Sequence, residues 1–287
     1  MKAITRYINI RTICLAAFSI LIAVPLLTVV VTSLKTMRQY VRDPLGLPVP
    51  ATLNNYKELF VEHGLHLFFK NSLVFTVGTV ILVLFLSTMV SFACVRIGGV
   101  KSQLIFGLFT VGLLIPAQVN IIPLYGLIVK LEAYTASVGW LPDIKLRDTL
   151  HGLILIKTAV LLSLSVFIVT GFMKTIPREL FEAAAVDGSS EWWMYSKVAI
   201  PLSLPAIASS AIFLSVIVWN DLLYPLLFTG DRAKTLTMAL LLFKGEYESN
   251  YPILFSGVLL ASLPMVIAYL FLQRWFIAGI TAGSIKG

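Results

Sequence analysis

Residues 150–172 read LHGLILIKTAVLLSLSVFIVTGF, an apolar run interrupted by one charge, Lys157. A bilayer's hydrocarbon core takes about 20 helical residues to cross, and this segment has both the length and the composition to do so. Water is absent at that depth, so the backbone must satisfy its own polar groups, and for a single stretch of chain only a helix does that. Five further stretches fit the pattern, at 13–34, 72–95, 104–129, 206–228 and 254–276. The sequence thus predicts an all-α integral membrane protein with six transmembrane helices. Composition agrees: 58% of the 287 residues are hydrophobic and 13% charged, against roughly 45–50% and about 25% in an ordinary soluble domain.

The net charge of +8 suits loops beside lipid headgroups. Nucleic acid is not expected as a partner, because the basic, aromatic stripe it requires is missing. Cys14 and Cys94 both lie in apolar stretches, where they act as small hydrophobes and build neither a metal cage nor a disulfide framework. Lys2, Arg6 and Arg11 before the first span resemble the start of a signal peptide. The apolar run that follows exceeds the usual 7–15 residues, and the span is expected to be retained.

Between the spans, residues 35–71 divide into a stiff link with Pro44, Gly46, Pro48 and Pro50, and a short amphipathic helix. In that helix Leu53, Tyr56, Leu59 and Phe60 recur at helical spacing after the candidate cap Thr52. Residues 1–71 therefore form one region, and 72–287 a five-helix transmembrane domain. The connection 173–205 reads as a helix-turn-helix elbow. Pro177 opens its first helix, Glu179 and Glu182 suit the positive dipole end, and Asp187-Gly188 supplies a left-handed stop. Ser189 or Ser190 then caps a second helix through Trp192, Trp193 and Tyr195 that is expected to end before Pro201 and Pro205. Lys and Arg divide almost evenly between the two faces, so charge alone does not orient the chain. The short, acid-free loop at Arg96 and Lys101 favours cytoplasmic termini.

Within the elbow, Glu182-Ala183-Ala184-Ala185-Val186-Asp187-Gly188 is followed after nine residues by Val198-Ala199-Ile200-Pro201. This resembles the EAA loop of importer permeases in the ATP-binding-cassette superfamily, with Val198 and Ile200 replacing that pattern's Ile and Leu by other apolar residues. Thr52-Leu53-Asn54-Asn55-Tyr56, Asn71-Ser72-Leu73, Ile122-Pro123-Leu124-Tyr125, Trp219-Asn220-Asp221 and the tail from Gly279 to Gly287 look like the carbohydrate-importing, maltose-type branch. The stretch from Gly139 to Asp148 is longer than that branch's pattern.

The resemblance implies a non-catalytic permease of the bacterial or archaeal cytoplasmic membrane, with both termini and the elbow on the cytoplasmic side. It would pair with a second homologous permease, two ATPase subunits and an extracytoplasmic solute-binding protein to import a sugar or related polyol. ATPase coupling is carried over onto Arg178, Glu182, Ala183, Ala184, Asp187 and Gly188. The chain has no Gly-x-x-x-x-Gly-Lys-Ser/Thr loop to cradle phosphates. No cofactor is expected in it, and ATP with its Mg²⁺ belongs to the partner. A non-carbohydrate solute is the alternative cargo. An ion-coupled secondary carrier is disfavoured by sparse intramembrane charge and the lack of an internal repeat, and a membrane enzyme by the lack of a convergent catalytic set.

The candidate lining of the translocation path is Gln118 and Asn120, in a third span interrupted between Pro116 and Pro123, with Asn220 and Asp221 in the outer half of the fifth. Asp221 either faces a polar path or makes a helix-stabilising hydrogen bond. Lys157, shallow in the fourth span, is expected to snorkel outward. His63, His66 and His151 lack zinc-protease spacing and read as solvated side chains.

Overall fold

A computed structural model describes residues 10–138, 142–246 and 250–284, and among them it is helical without strands. The order is α1 Ile10–Ser33, α2 Met37–Arg42, α3 Asn54–Val61, α4 Leu65–Ile97, α5 Gly99–Leu113, α6 Ala117–Ser137 and α7 Leu150–Met173. There follow α8 Arg178–Val186, α9 Glu191–Met194, a π turn Tyr195–Ala199, α10 Ile200–Trp219, α11 Leu223–Phe228, α12 Leu236–Glu246 and α13 Tyr251–Ser284. Among the described residues, five helices are long and apolar enough to cross a membrane, and α5 with α6 completes six if the bent pair is one span.

That pair is the third span expected over 104–129, broken just ahead of the interval between Pro116 and Pro123 where the interruption was read. The helices meet at 102°, where Pro116 has no N–H to offer and disfavours helical backbone at Ile115. The fifth span differs at both ends. A continuous helix runs Glu191–Trp219, through the prolines expected to stop it. Ile200 N–H reaches back to Tyr195 O in the wide π register, so the bond that Pro201 cannot make falls where the ladder is already shifted. The other end comes early: the helix stops at Trp219, and α11 begins after a break at 220–222.

The chain forms two compact units. One comprises residues up to Leu67 together with Ala239–Pro264, so 239–264 join the N-terminal region. Its centre is polar: Asn55 Nδ2 donates to Ser33 O and Lys35 O at 2.8 Å each, and buried Lys35 donates to Asp43 O and Pro44 O. Ser256 Oγ donates to Ser33 O at 3.1 Å, and the Ser33 and Tyr56 hydroxyls meet at 2.7 Å. The amphipathic helix forms as α3, with Leu59 buried; Leu53 occupies its cap position, while Thr52 Oγ1 accepts from Asn54 N–H.

The other unit, Phe68–Met238 with the chain from Met265, carries both candidate sites. One apolar cluster, including Phe75, Val83, Leu153, Leu161, Leu214 and Tyr224, joins α4, α7, α10 and α11. A second, of Phe92, Val169, Met173, Phe181, Met194 and Tyr195, seats the elbow. Between them α4 and α7 share hydroxyl contacts, Ser87 with Ser165 at 2.7 Å and Thr170 with Ser91 at 2.8 Å. Small hydroxyl side chains of this kind let two backbones approach closely while satisfying each other in lipid.

Candidate functional site

The elbow forms where the sequence places it. Pro177 precedes α8, with Glu179 in the first turn. The helix stops at Asp187, and Gly188 adopts φ 77°, a left-handed conformation that any Cβ would strain. The turn satisfies the freed carbonyls: Gly188 N–H donates to Ala185 O and Ser189 N–H to Ala184 O, both at 3.0 Å. Ser190, the second of the two candidate caps, accepts from Trp193 N–H at 3.2 Å.

Side-chain packing fixes which face of α8 is turned in. Phe181 and Ala184 are buried, and the Phe181 ring lies 6.1 Å from that of Phe92 on α4. Tyr195 packs edge-on against the same Phe92 ring at 5.5 Å, and its hydroxyl meets Thr88 Oγ1 at 2.9 Å. Arg96, near the end of α4, forms a two-pronged ion pair with Glu191 at 2.9 and 2.5 Å. The elbow is thus fastened to α4 by tilted and edge-on ring contacts, a buried hydroxyl pair and a bidentate charge pair.

The outward face is correspondingly bare. Glu182, Ala183, Asp187 and Gly188 are exposed, as are Leu180, Trp192 and Trp193, and Val186 is 89% exposed. Arg178 and Glu182 line a cleft of about 240 Å³ beside Arg96, Gly98 and Gly99. Of the six residues carried over for coupling, Ala184 alone faces inward. The contributions of Phe92, Arg96, Glu191 and Tyr195 were not read from the sequence; the legible signal was a lone Arg ending a span and a lone acid opening the elbow's second helix.

The path candidates separate. Gln118 and Asn120 are exposed on the first turn of α6, just past the bend. Asn220 is exposed at the end of α10 and donates to Val216 O at 2.9 Å. Asp221 lies beyond that helix, not within it, and its side chain is 7% exposed. Lys157 does not snorkel: its side chain is 6% exposed, with Nζ 2.7 Å from Asp221 Oδ2 and 4.2 Å from the Tyr224 ring centre. A lone cation in an apolar helix is less costly beside a carboxylate than alone in lipid, and the break after α10 brings that carboxylate to it.

Metal-capable side chains cluster once among the described residues, at Glu58, Glu62 and His63 of the other unit. An acidic i, i+4 pair on an exposed helix face gives the same cluster without a metal. The tail from Ile285 and residues 139–141 lie outside the described residues.

Broken apolar spans around an exposed helix-turn-helix elbow are the architecture of a multi-pass membrane protein. Comparison with known proteins supplies the family. Residues 84–281 match the binding-protein-dependent transport system inner membrane component family. The chain is 34% identical to a putative ABC transporter permease protein of Caldicellulosiruptor sp. (strain Rt8B.4) over 277 residues, covering 96% of each. It is 32% identical to the arabinooligosaccharides transport system permease protein AraQ of Halalkalibacterium halodurans, covering 94% of each. In fold it resembles a chain of a bacterial ABC transporter that imports alginate, with TM-score 0.77, 18% identity, and 93% of this chain and 95% of that one covered. The chain belongs to the binding-protein-dependent transport system inner membrane component family and is an ABC importer permease, a transporter component.

Proposed function

We propose that this permease imports an oligosaccharide or related polyol, forms half of the pathway with a second permease, and couples through its elbow to a separate ATPase. An extracytoplasmic binding protein delivers the cargo, and ATP with Mg²⁺ is held by the ATPase. The chain sits in the cytoplasmic membrane with both termini and the elbow on the cytoplasmic side. Coupling is assigned to Arg178, Glu182, Ala183, Ala184, Asp187 and Gly188, and Gln118, Asn120 and Asn220 are proposed to line the path. Asp221 borders it from inside, held by Lys157.

One observation carries this reading. α8 is seated by Phe181 and Ala184, yet presents Glu182, Ala183, Val186 and Asp187 without a covering. A rigid helix, a tight turn and a rigid return transmit a push on that face to the span Glu191–Trp219. The similarity to the arabinooligosaccharide permease supports the cargo class.

The test is Glu182→Lys in the full importer expressed with its neighbouring subunits. Membrane levels should match the unaltered chain, while ATPase recovered with the permease and uptake of radiolabelled arabinotriose, raffinose and maltotriose should fall at least tenfold. Unchanged uptake would overturn the coupling assignment. Failure of the unaltered importer to take up any of the three sugars would overturn the cargo class.

A further inference from the structure

α11 is pinned to the first turns of α7 at both ends. At its start, Asp221 Oδ1 accepts from Tyr224 N–H at 3.4 Å while Oδ2 contacts Lys157. At its finish, Asp148 N–H donates to Phe228 O at 2.8 Å, and Asp148 Oδ1 accepts from Gly230 N–H at 2.7 Å and Arg232 N–H at 3.3 Å. At a rise of about 1.5 Å per residue, the six residues of α11 run about 9 Å between these two attachments. Tyr224 and Phe228 stack at 6.1 Å and are buried in the cluster that includes Leu153 and Leu161.

The two pins differ in kind. Asp148 is a backbone splice near the start of α7, whereas Lys157 and Asp221 are a charge pair buried in an apolar core. A helix break at that depth is tolerated where protein covers it, and this one is covered by the pair and by Tyr224. We propose that Lys157 is a positioning residue: as counter-ion to Asp221 it fastens the break at 220–222 to α7, so that α11 is a fixed plate and not a mobile lid.

Among the described residues, the ionisable groups facing Asp221 are Lys157 and Tyr224. α10 carries no ionisable side chain, and α6 brings Tyr125 against Phe228 and Glu132 against Arg147. This isolation gives the proposal a signature. Without Lys157 the carboxylate is stranded in an apolar core, and removing its charge by Asp221→Asn relieves the loss.

The experiment uses the full chain with Cys14→Ser and Cys94→Ser in lipid nanodiscs, with a nitroxide at Leu226→Cys, an exposed position of α11. Spin-label mobility and melting temperature are read near neutral pH. The parent should give an ordered spectrum. Lys157→Met should raise mobility and lower the melting temperature by about 5 °C or more, whereas Lys157→Arg, which keeps the charge, should retain most of both. Lys157→Met with Asp221→Asn should be close to the parent. A Lys157→Met variant that matches the parent, or a loss that Asp221→Asn adds to, would overturn the proposal. So would a parent label already mobile.

Discussion

Tyr195 and Thr88 join hydroxyls at 2.9 Å between the elbow's π turn and the middle of α4. Thr88 Oγ1 also lies 2.7 Å from Leu84 O and 2.9 Å from Phe85 O of its own helix. The wide π register lets the Tyr195 ring pack against Phe92 while its hydroxyl reaches past it. The elbow is therefore tied to α4 as well as to α10. Tyr195→Phe should cost about 1 kcal/mol, the typical net value of one hydrogen bond, as measured by thermal unfolding in detergent. Uptake should fall further than stability if that contact transmits motion.

Phe92 is the ring on which both Phe181 and Tyr195 rest. Phe92→Ala should cost about 3 kcal/mol through the cavity it leaves, whereas Phe92→Leu should recover about half. Melting of the two variants decides this, and equal losses would mean that ring packing does not seat the elbow.

The ion pair of Arg96 and Glu191 has good geometry but stands in solvent, with side chains 27% and 61% exposed. Solvent screening keeps such pairs to roughly 0.2–1 kcal/mol. A double-mutant cycle with Arg96→Ala and Glu191→Ala should give a coupling energy in that range, and it should shrink on raising the salt.

Gly188→Val forces a β-branched residue into φ 77°. Left-handed backbone costs such a residue roughly 1–2 kcal/mol. Nothing lies within 4 Å of where its Cβ would stand, so the damage should be confined to the turn. Membrane insertion should persist while ATPase recovery and sugar uptake fall. Gly188→Asn, which tolerates the conformation better, should retain more of both.

At the far end of α7 from the elbow, Glu132 accepts backbone N–H bonds from Leu146 at 2.8 Å and Arg147 at 2.7 Å, and Arg147 Nε donates to it at 2.6 Å. Glu132→Ala orphans both amides and should cost about 2 kcal/mol. Glu132→Gln keeps an accepting oxygen and should cost about half as much in the same melting assay.

Much of this was legible in the residues, because the signals concerned are local. Apolar length announces a span, and Pro177 and Asp187-Gly188 bound the elbow helix, both within a few turns of chain. The prolines misled for a reason of the same scale. Pro201 ends a helix only where the ladder stays in α register, and the π turn before it does not.

What the amino acids settled unaided was the medium and the element type, since in lipid the polar backbone of an apolar stretch has no choice but to bond with itself. Pairing was decided only in three dimensions. Lys157 read alone belongs at the interface and Asp221 read alone belongs in a path, and nothing near either one in the chain names the other. A break after Trp219 and the return of α11 along α7 bring the two charges to 2.7 Å. There each lowers the other's cost of burial, which no property of a single helix could reveal.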